Sequence, residues 1–179
     1  MEIYSLYARP LAVTQIKEHI PKVEVIQNCT SWSNYDNLGE YSNDKKILSK
    51  FPELQKVITE KVQEYNDHVM TYTDNEVQLI SSWAKYQPGY QGNLHNHDNT
   101  MYSVVFYPVS GGSNITFIDY NNKWQWYVRP KKINHFNQQR LTITPEAGML
   151  VIFPGFAHHK VDVNADNQSF NIGWSYDFN

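Results

Sequence analysis

The second half of the chain breaks into short, strand-like runs that are separated by turn residues. Apolar and β-branched residues fill the runs, and Pro, Gly and Asn mark the turns, as in Pro145-Glu146-Ala147-Gly148. The predicted strands lie at 77–86, 102–107, 114–118, 124–128, 141–144, 149–153, 158–163 and 170–176. Short strands with a turn every ~8–12 residues indicate a sandwich or a barrel, so we predict a mainly β fold.

The first part of the chain carries one strong helical signal. Across residues 45–70 the apolar positions fall mostly three and four residues apart, which is the pattern of an amphipathic helix. Pro52 is tolerated in a first helical turn, so we predict that the main helix begins there. A strand at 1–9, a short helix at 12–20 and a loop at 28–46 complete this part. The whole chain is therefore predicted to be of class α+β.

Composition bounds the kind of protein further. Aromatic residues make up 15% of the 179 residues, which favours strands and aromatic-lined cavities over a helical bundle. The formal net charge of -3 gives no general attraction to nucleic acid or to an anionic membrane. A single cysteine, Cys29, excludes an internal disulfide and suits a reducing compartment. With no signal-peptide pattern and no membrane-spanning run, a cytoplasmic protein is expected.

Four of the seven histidines form two tight clusters beside predicted strands. His95 and His97 are two residues apart, so on a strand they would point to the same face. A third imidazole would come from His158 or His159, only one of which can face inward. Two ligands close together and a third far along the chain are the arrangement of a facial-triad iron site. A short His-x-His is also common by chance, so structural histidines remain the other interpretation.

The second ligand position has two candidates. The usual facial triad has a carboxylate where this chain has His97, and Asp98 stands next to it. His95 with His97 fits a regular strand, whereas His95 with Asp98 needs a bulge or a turn. A neutral imidazole in the carboxylate position would leave the metal site one charge more positive.

These segments resemble one family. The pattern His95-x-His97 followed by Tyr102-Ser103-Val104-Val105-Phe106-Tyr107 is similar to that of prolyl-4-hydroxylase-like iron(II)/2-oxoglutarate oxygenases, many of them encoded by tailed phages. Pro145…Gly148-Met149-Leu150-Val151-Ile152-Phe153-Pro154…His159-Lys160-Val161 and Trp83…Tyr86-Gln87-Pro88-Gly89 match the flanking segments. The resemblance covers about residues 77–178. It implies a double-stranded β-helix, a jelly roll of cupin-like type with iron at its mouth, and N-terminal helices packed outside.

The resemblance also implies a domain division and a set of site residues. We expect one domain over 1–179, with 1–76 as N-terminal strand and helical support and 77–179 as the double-stranded β-helix core. The implied metal ligands are His95, His97 and His159, and the implied cofactors are Fe(II) and 2-oxoglutarate. Tyr86 and Tyr107 match positions where relatives place tyrosine on the carboxylates of 2-oxoglutarate.

The chain departs from the family at the position of the co-substrate arginine. That arginine lies on the final strand, where this chain has Ser169-Phe170-Asn171, and no arginine follows Arg140. Asn171 is therefore the third candidate for contacting the co-substrate. Arg140, Lys160 and Lys85 remain candidates for its charge, because a carboxylate buried without a cation is costly.

The leading hypothesis is a metal-dependent oxygenase, an Fe(II)/2-oxoglutarate-dependent hydroxylase with a small-molecule or peptidyl substrate that the sequence does not identify. One alternative is a cupin-like enzyme that uses three histidines and no 2-oxoglutarate. The other is a jelly-roll binding module without catalysis. No nucleic acid or membrane partner is predicted, the oligomeric state is open, and the location would be the host cytoplasm if the protein is phage-encoded.

Overall fold

The computed structural model describes residues 2, 9–35, 39–71, 74–86, 92–111, 113–120, 129–134 and 136–162, and the backbone of 170–178. Within these residues the strands are β1 (Ala12–Gln15), β2 (Trp32–Tyr35), β3 (Gly39–Ser42), β4 (Val77–Tyr86), β5 (Tyr102–Tyr107), β6 (Ile115–Ile118), β7 (Arg140–Ile143), β8 (Met149–Pro154), β9 (His159–Val161) and β10 (Phe170–Phe178). The helices are α1 (Val23–Asn28) and α2 (Pro52–Tyr65). A 3-10 helix at Ile47–Lys50 precedes α2, and a π-helical turn at Asn66–Met70 follows it directly.

Two antiparallel sheets form the β part of the molecule. The larger sheet has the strand order β1-β8-β5-β10-β4-β3-β2, and the smaller sheet has the order β7-β6-β9. From β4 onward the chain passes back and forth between the two sheets, because β5, β8 and β10 belong to the larger one and β6, β7 and β9 to the smaller one. An isolated antiparallel bridge also pairs His95 with His159, the first residue of β9.

Apolar side chains of both sheets meet in one cluster, which we call the inner core. Its buried members are Tyr107, Ile115, Phe117, Met149, Val151 and Phe153. The rings of Phe117, from the smaller sheet, and Phe153, from the larger one, meet edge to face with centroids 4.9 Å apart. The two sheets are therefore joined through apolar packing at the end where β8 leads toward His159.

The opposite face of the larger sheet is covered by α2, and we call this second cluster the outer core. Leu54, Ile58 and Val62 of α2 are buried there against Tyr102, Val104, Phe106, Leu150 and Ile152. Alternate residues of β5 thus enter different cores, as side-chain alternation along a strand requires. The position of a residue along a strand of this sheet therefore indicates which core it faces.

The main helix and most of the predicted strands are confirmed, with ends shifted by one or two residues. Pro52 is the first residue of α2, as predicted. The predicted helix at 12–20 is wrong, since Ala12–Gln15 form β1 and pair with Met149–Ile152 of β8. This pairing gives hydrogen-bond partners to the backbone groups of β8 on the edge that β5 does not occupy. The free energy gained from these bonds outweighs the weak helical propensity of a short segment.

The predicted loop at 28–46 is also wrong in part. Its polar residues include β2 and β3, which pair with each other, and Glu40 and Tyr41 of β3 continue the larger sheet beside β4. The predicted strand at 124–128 and most of the one at 1–9 lie outside the described residues. In the part of the chain that the structure describes, no helix combines the length and the apolar character needed to cross a bilayer.

Candidate metal centre

Backbone hydrogen bonds hold His95 and His159 side by side. The His95 amide donates to the His159 carbonyl at 3.0 Å, and the His159 amide donates to the His95 carbonyl at 2.9 Å. Two residues that exchange both bonds in this way lie directly opposite each other, with their side chains on the same face. The backbone therefore brings together imidazoles that are 64 residues apart in the sequence. Their ring centroids are 4.4 Å apart.

His97 is fixed by the turn that follows β8. Its amide donates to the Gly155 carbonyl at 2.7 Å, and the Gly155 amide donates to the Met101 carbonyl at 2.9 Å. The Thr100 amide and hydroxyl both donate to the His97 carbonyl at 3.0 Å. The ring centroid of His97 lies 5.3 Å from those of His95 and His159. The segment is a single bridge followed by a turn, rather than the continuous strand that the spacing suggested.

The three histidines offer ligand nitrogens that lie within 4.8 Å of one another. The Nδ1 atom of His95 is 2.7 Å from the Asn93 carbonyl, and Nδ1 of His159 is 2.9 Å from the Ala157 carbonyl. A carbonyl oxygen can only accept, so each Nδ1 carries the proton and each Nε2 keeps a free lone pair. This is the tautomer that a metal ligand needs, and such partners commonly orient ligating histidines.

Burial keeps two of these rings neutral. Desolvation, followed by the proximity of His95, lowers the pKa of His97 to about 4. The same two causes lower the pKa of His159 to about 3. The Phe153 and Phe117 rings lie 4.8 and 5.8 Å from the His159 ring and exclude water from it. Both imidazoles are therefore unprotonated at neutral pH, the state in which they bind a metal ion.

The two competing candidates lie outside this group. Asp98 is exposed and accepts a hydrogen bond from Asn96 at 2.6 Å. The ring of His158 meets Tyr120 edge to face at 5.2 Å. His158 directly precedes β9, which begins at His159, and it is not a member of the group of three converging histidines. The geometry thus groups His159 and His97 with His95.

The three residues predicted to contact the co-substrate lie in three different surroundings. The Tyr107 hydroxyl is fully buried in the inner core and has no hydrogen-bond partner among the described residues. Tyr86 is half-buried and packs against the outer core, so its role in binding the co-substrate stays a prediction. The backbone of Asn171 pairs with Lys85 across the larger sheet, and its side chain lies outside the described part of the chain.

Sequence reasoning missed two residues that position the site. Ser103 lies on β5 with its Oγ 2.8 Å from Nδ1 of His97. The available signal was a single small polar residue inside an otherwise apolar strand. Gly155 approaches the His97 turn so closely that a Cβ there would contact the His97 carbonyl at 2.6 Å. A glycine directly after a buried strand was the only trace of this contact in the sequence.

Comparison with known proteins identifies the family. A family described as "Putative 2OG-Fe(II) oxygenase" matches residues 81–179, more than half of the chain. The chain belongs to this family. It is therefore an oxygenase, an oxidoreductase whose cofactors are Fe(II) and 2-oxoglutarate. Membership favours the first of the three functions that the sequence left open. The comparisons do not address a phage origin, which stays a prediction.

Solved structures of 2OG-Fe(II) oxygenases share the fold. A 2OG-Fe(II) oxygenase family oxidoreductase from Burkholderia pseudomallei is 10% identical over 93% of this chain and 84% of its own, with a TM-score of 0.65. A prolyl hydroxylase from Trichoplax adhaerens, solved with a hypoxia inducible factor peptide fragment, is 11% identical over 93% and 83%, with a TM-score of 0.60. A Pseudomonas putida prolyl-4-hydroxylase is 12% identical over 96% and 94%, with a TM-score of 0.53. The likeness shows a jelly-roll fold, and no curated protein matches the chain.

Proposed function

We propose that this oxygenase is a hydroxylase in which His95, His97 and His159 bind one Fe(II). The observation that carries the proposal is the convergence of three ligand nitrogens within 4.8 Å of one another. Iron(II) accepts imidazole ligands, and three protein ligands leave other coordination positions open. The donor set therefore fits the metal that the family uses.

The residues around the ligands support the same assignment. Asn93 and Ala157 hold two of the rings in the tautomer that directs Nε2 to the metal. Phe117 and Phe153 keep water from the buried side of His159. His95 is exposed, so one side of the centre remains open to a substrate. The protein thus orients the ligands and leaves an approach from the outside.

Bound iron and 2-oxoglutarate supply the chemistry, in which O2 oxidises the 2-oxo acid to succinate and CO2 and one oxygen atom enters the substrate. The described residues fit the co-substrate as well as the metal. The buried Tyr107 hydroxyl lacks a partner among them, and burial raises its pKa, so it stays protonated and able to donate. A carboxylate that accepts this hydrogen bond would satisfy an otherwise unpaired polar atom.

We also infer that the β part is a double-stranded β-helix and that 1–179 form one domain. The support is the alternation of the chain between two facing sheets, with the helices on the outer side of the larger sheet. The substrate is proposed to be a small molecule or a peptide. The Trichoplax adhaerens relative was solved with a peptide, and the exposure of His95 leaves the centre accessible from outside.

The test of the metal site is a titration of the purified chain with Mn(II), a stand-in for Fe(II) that needs no anaerobic handling. His95→Ala, His97→Ala and His159→Ala should each lower the Mn(II) affinity by ~100-fold or more. His158→Ala is the matched control. It should bind Mn(II) like the wild type, because the His158 ring packs on Tyr120 and is not one of the proposed ligands. Unchanged affinity in the His159→Ala protein, or loss in the His158→Ala protein, would refute the assignment.

A further inference from the structure

Lys85 is a buried cation that has no counter-ion among the described residues. It is 9% exposed, and among the described residues it is the only lysine or arginine that is buried. Its Nζ lies 5.0 Å from the centre of the Tyr41 ring, and it forms no ion pair or hydrogen bond with a described residue. Burial lowers the pKa of Lys85 to about 8. An ammonium group in such surroundings is costly unless an anion accompanies it.

The direction of Lys85 follows from its strand. Ala84 belongs to the outer core, so the residues on either side of it in β4 point to the inner face of the larger sheet. One of them is Trp83, whose ring lies 5.8 Å from that of His97. The other is Lys85, two positions farther along the same face, which corresponds to ~7 Å of strand. Lys85 therefore lies on the same face of the sheet as the metal centre, two residues beyond Trp83 along β4.

Tyr107 lies in the same row of residues across the larger sheet as Lys85. Ile172 of β10 pairs with Ala84 on one side and with Phe106 on the other. The next residue of each strand, Lys85 in β4 and Tyr107 in β5, therefore lies in one row across the sheet. Two strand spacings separate them, which is ~10 Å between backbones. The Lys85 ammonium and the Tyr107 hydroxyl thus flank β10. The hydroxyl has no hydrogen-bond partner among the described residues, and the ammonium contacts the Tyr41 ring.

The other candidate cations are placed less well. The Lys160 ammonium is 2.7 Å from a carboxylate oxygen of Asp162, so its charge is already paired. Arg140 is exposed on β7 of the smaller sheet. Neither of them adds an unpaired charge to the inner face.

We propose that Lys85 is the cation that binds the distal carboxylate of 2-oxoglutarate, with Tyr107 donating a hydrogen bond to the same group. The assignment rests on the proposed function. It means that the charge comes from β4, on one side of β10, whereas the family's arginine lies on the final strand itself. The family's co-substrate can then be bound although β10 contains no arginine.

The test compares two acids on two proteins loaded with Mn(II). 2-Oxovalerate has the same carbon chain as 2-oxoglutarate but no distal carboxylate. Lys85→Met should weaken 2-oxoglutarate binding by ~30-fold or more, the range for a lost buried charge-assisted contact, and should leave 2-oxovalerate binding unchanged. Calorimetry gives both affinities, and Lys85→Arg should restore most of the loss. Lys160→Met should bind 2-oxoglutarate like the wild type.

The outcomes separate the two proposals. If the wild type binds Mn(II) but not 2-oxoglutarate, the proposed function itself fails. If the wild type binds 2-oxoglutarate and Lys85→Met binds it equally well, only the role of Lys85 is overturned. Equal weakening of both acids by Lys85→Met would also overturn it, because the contact would then not involve the distal carboxylate. Weaker 2-oxoglutarate binding by Lys160→Met would mean that Lys160, rather than Lys85, supplies the cation for the distal carboxylate.

Discussion

Ser103 Oγ on β5 lies 2.8 Å from Nδ1 of His97, one of the three proposed metal ligands. The serine is 1% exposed, so water does not readily replace its hydroxyl. When Nε2 of His97 binds a metal ion, Nδ1 carries the proton and donates a hydrogen bond to Ser103 Oγ. The contact therefore orients the ring, and it is compatible with the tautomer that leaves Nε2 for the metal.

Ser103→Ala should lower Mn(II) affinity by ~10–100-fold, the usual effect of removing a group that orients a metal ligand. Calorimetric titration measures the change. Ser110→Ala is the control, since the Ser110 hydroxyl accepts a hydrogen bond from the Ala147 amide and contacts none of the three proposed ligands. It should reduce thermal stability without changing the metal affinity. A Ser103→Ala protein with wild-type affinity would show that the hydroxyl does not orient His97.

Gly155→Ala should disturb the metal centre through the backbone. An added Cβ would collide with the Thr100 carbonyl and approach the Thr100 hydroxyl at 2.5 Å and the His97 carbonyl at 2.6 Å. The turn must then move, so we expect weaker Mn(II) binding and a loss of ~1–3 kcal/mol in the free energy of unfolding. Denaturant melts and metal titrations measure the two effects.

The control for this variant is Gly111→Ala. A Cβ at Gly111 would meet no heavy atom within 4 Å, but its φ of +80° is unfavourable for alanine. It should cost roughly 1 kcal/mol of stability and leave Mn(II) affinity unchanged. Normal metal binding by Gly155→Ala would contradict the role given to this contact.

Lys85→Met should stabilise the metal-free protein at pH 7. The pKa of Lys85 is lowered to about 8 in the folded chain from 10.5, so the folded state disfavours the charged form. The penalty is complete below pH 8 and fades as the pH rises toward 10.5. Tyr41 faces Lys85, and burial raises the pKa of its hydroxyl, so it adds no charge below pH 10. Removing the ammonium should raise the free energy of unfolding by roughly 1–3 kcal/mol.

Urea melts at pH 7 and pH 10 measure this difference between Lys85→Met and the wild type. The gain should be larger at pH 7 than at pH 10. Equal or lower stability of the variant at pH 7 would mean that the charge is already compensated in the metal-free protein.

The site was more predictable from the sequence than the N-terminal part. Local spacing proposed His95 and His97, and the resemblance to the oxygenase family selected His159 over its neighbour His158. β1 forms because β8 offers an unpaired side, and no local pattern in Ala12–Gln15 records that partner. Likewise, Gly155 acts on His97, which is distant in the sequence, and Lys85 and Tyr107 lie in one row only across the sheet.

The most direct test of the account is an anaerobic titration with Fe(II) followed by 2-oxoglutarate, monitored by visible absorption. The wild type should develop a charge-transfer band that saturates at one Fe(II) per chain, because the metal and the 2-oxo acid then share one centre. The His159→Ala protein should show no band. A wild type without a band, or a His159→Ala protein that keeps it, would contradict a centre built from His95, His97 and His159.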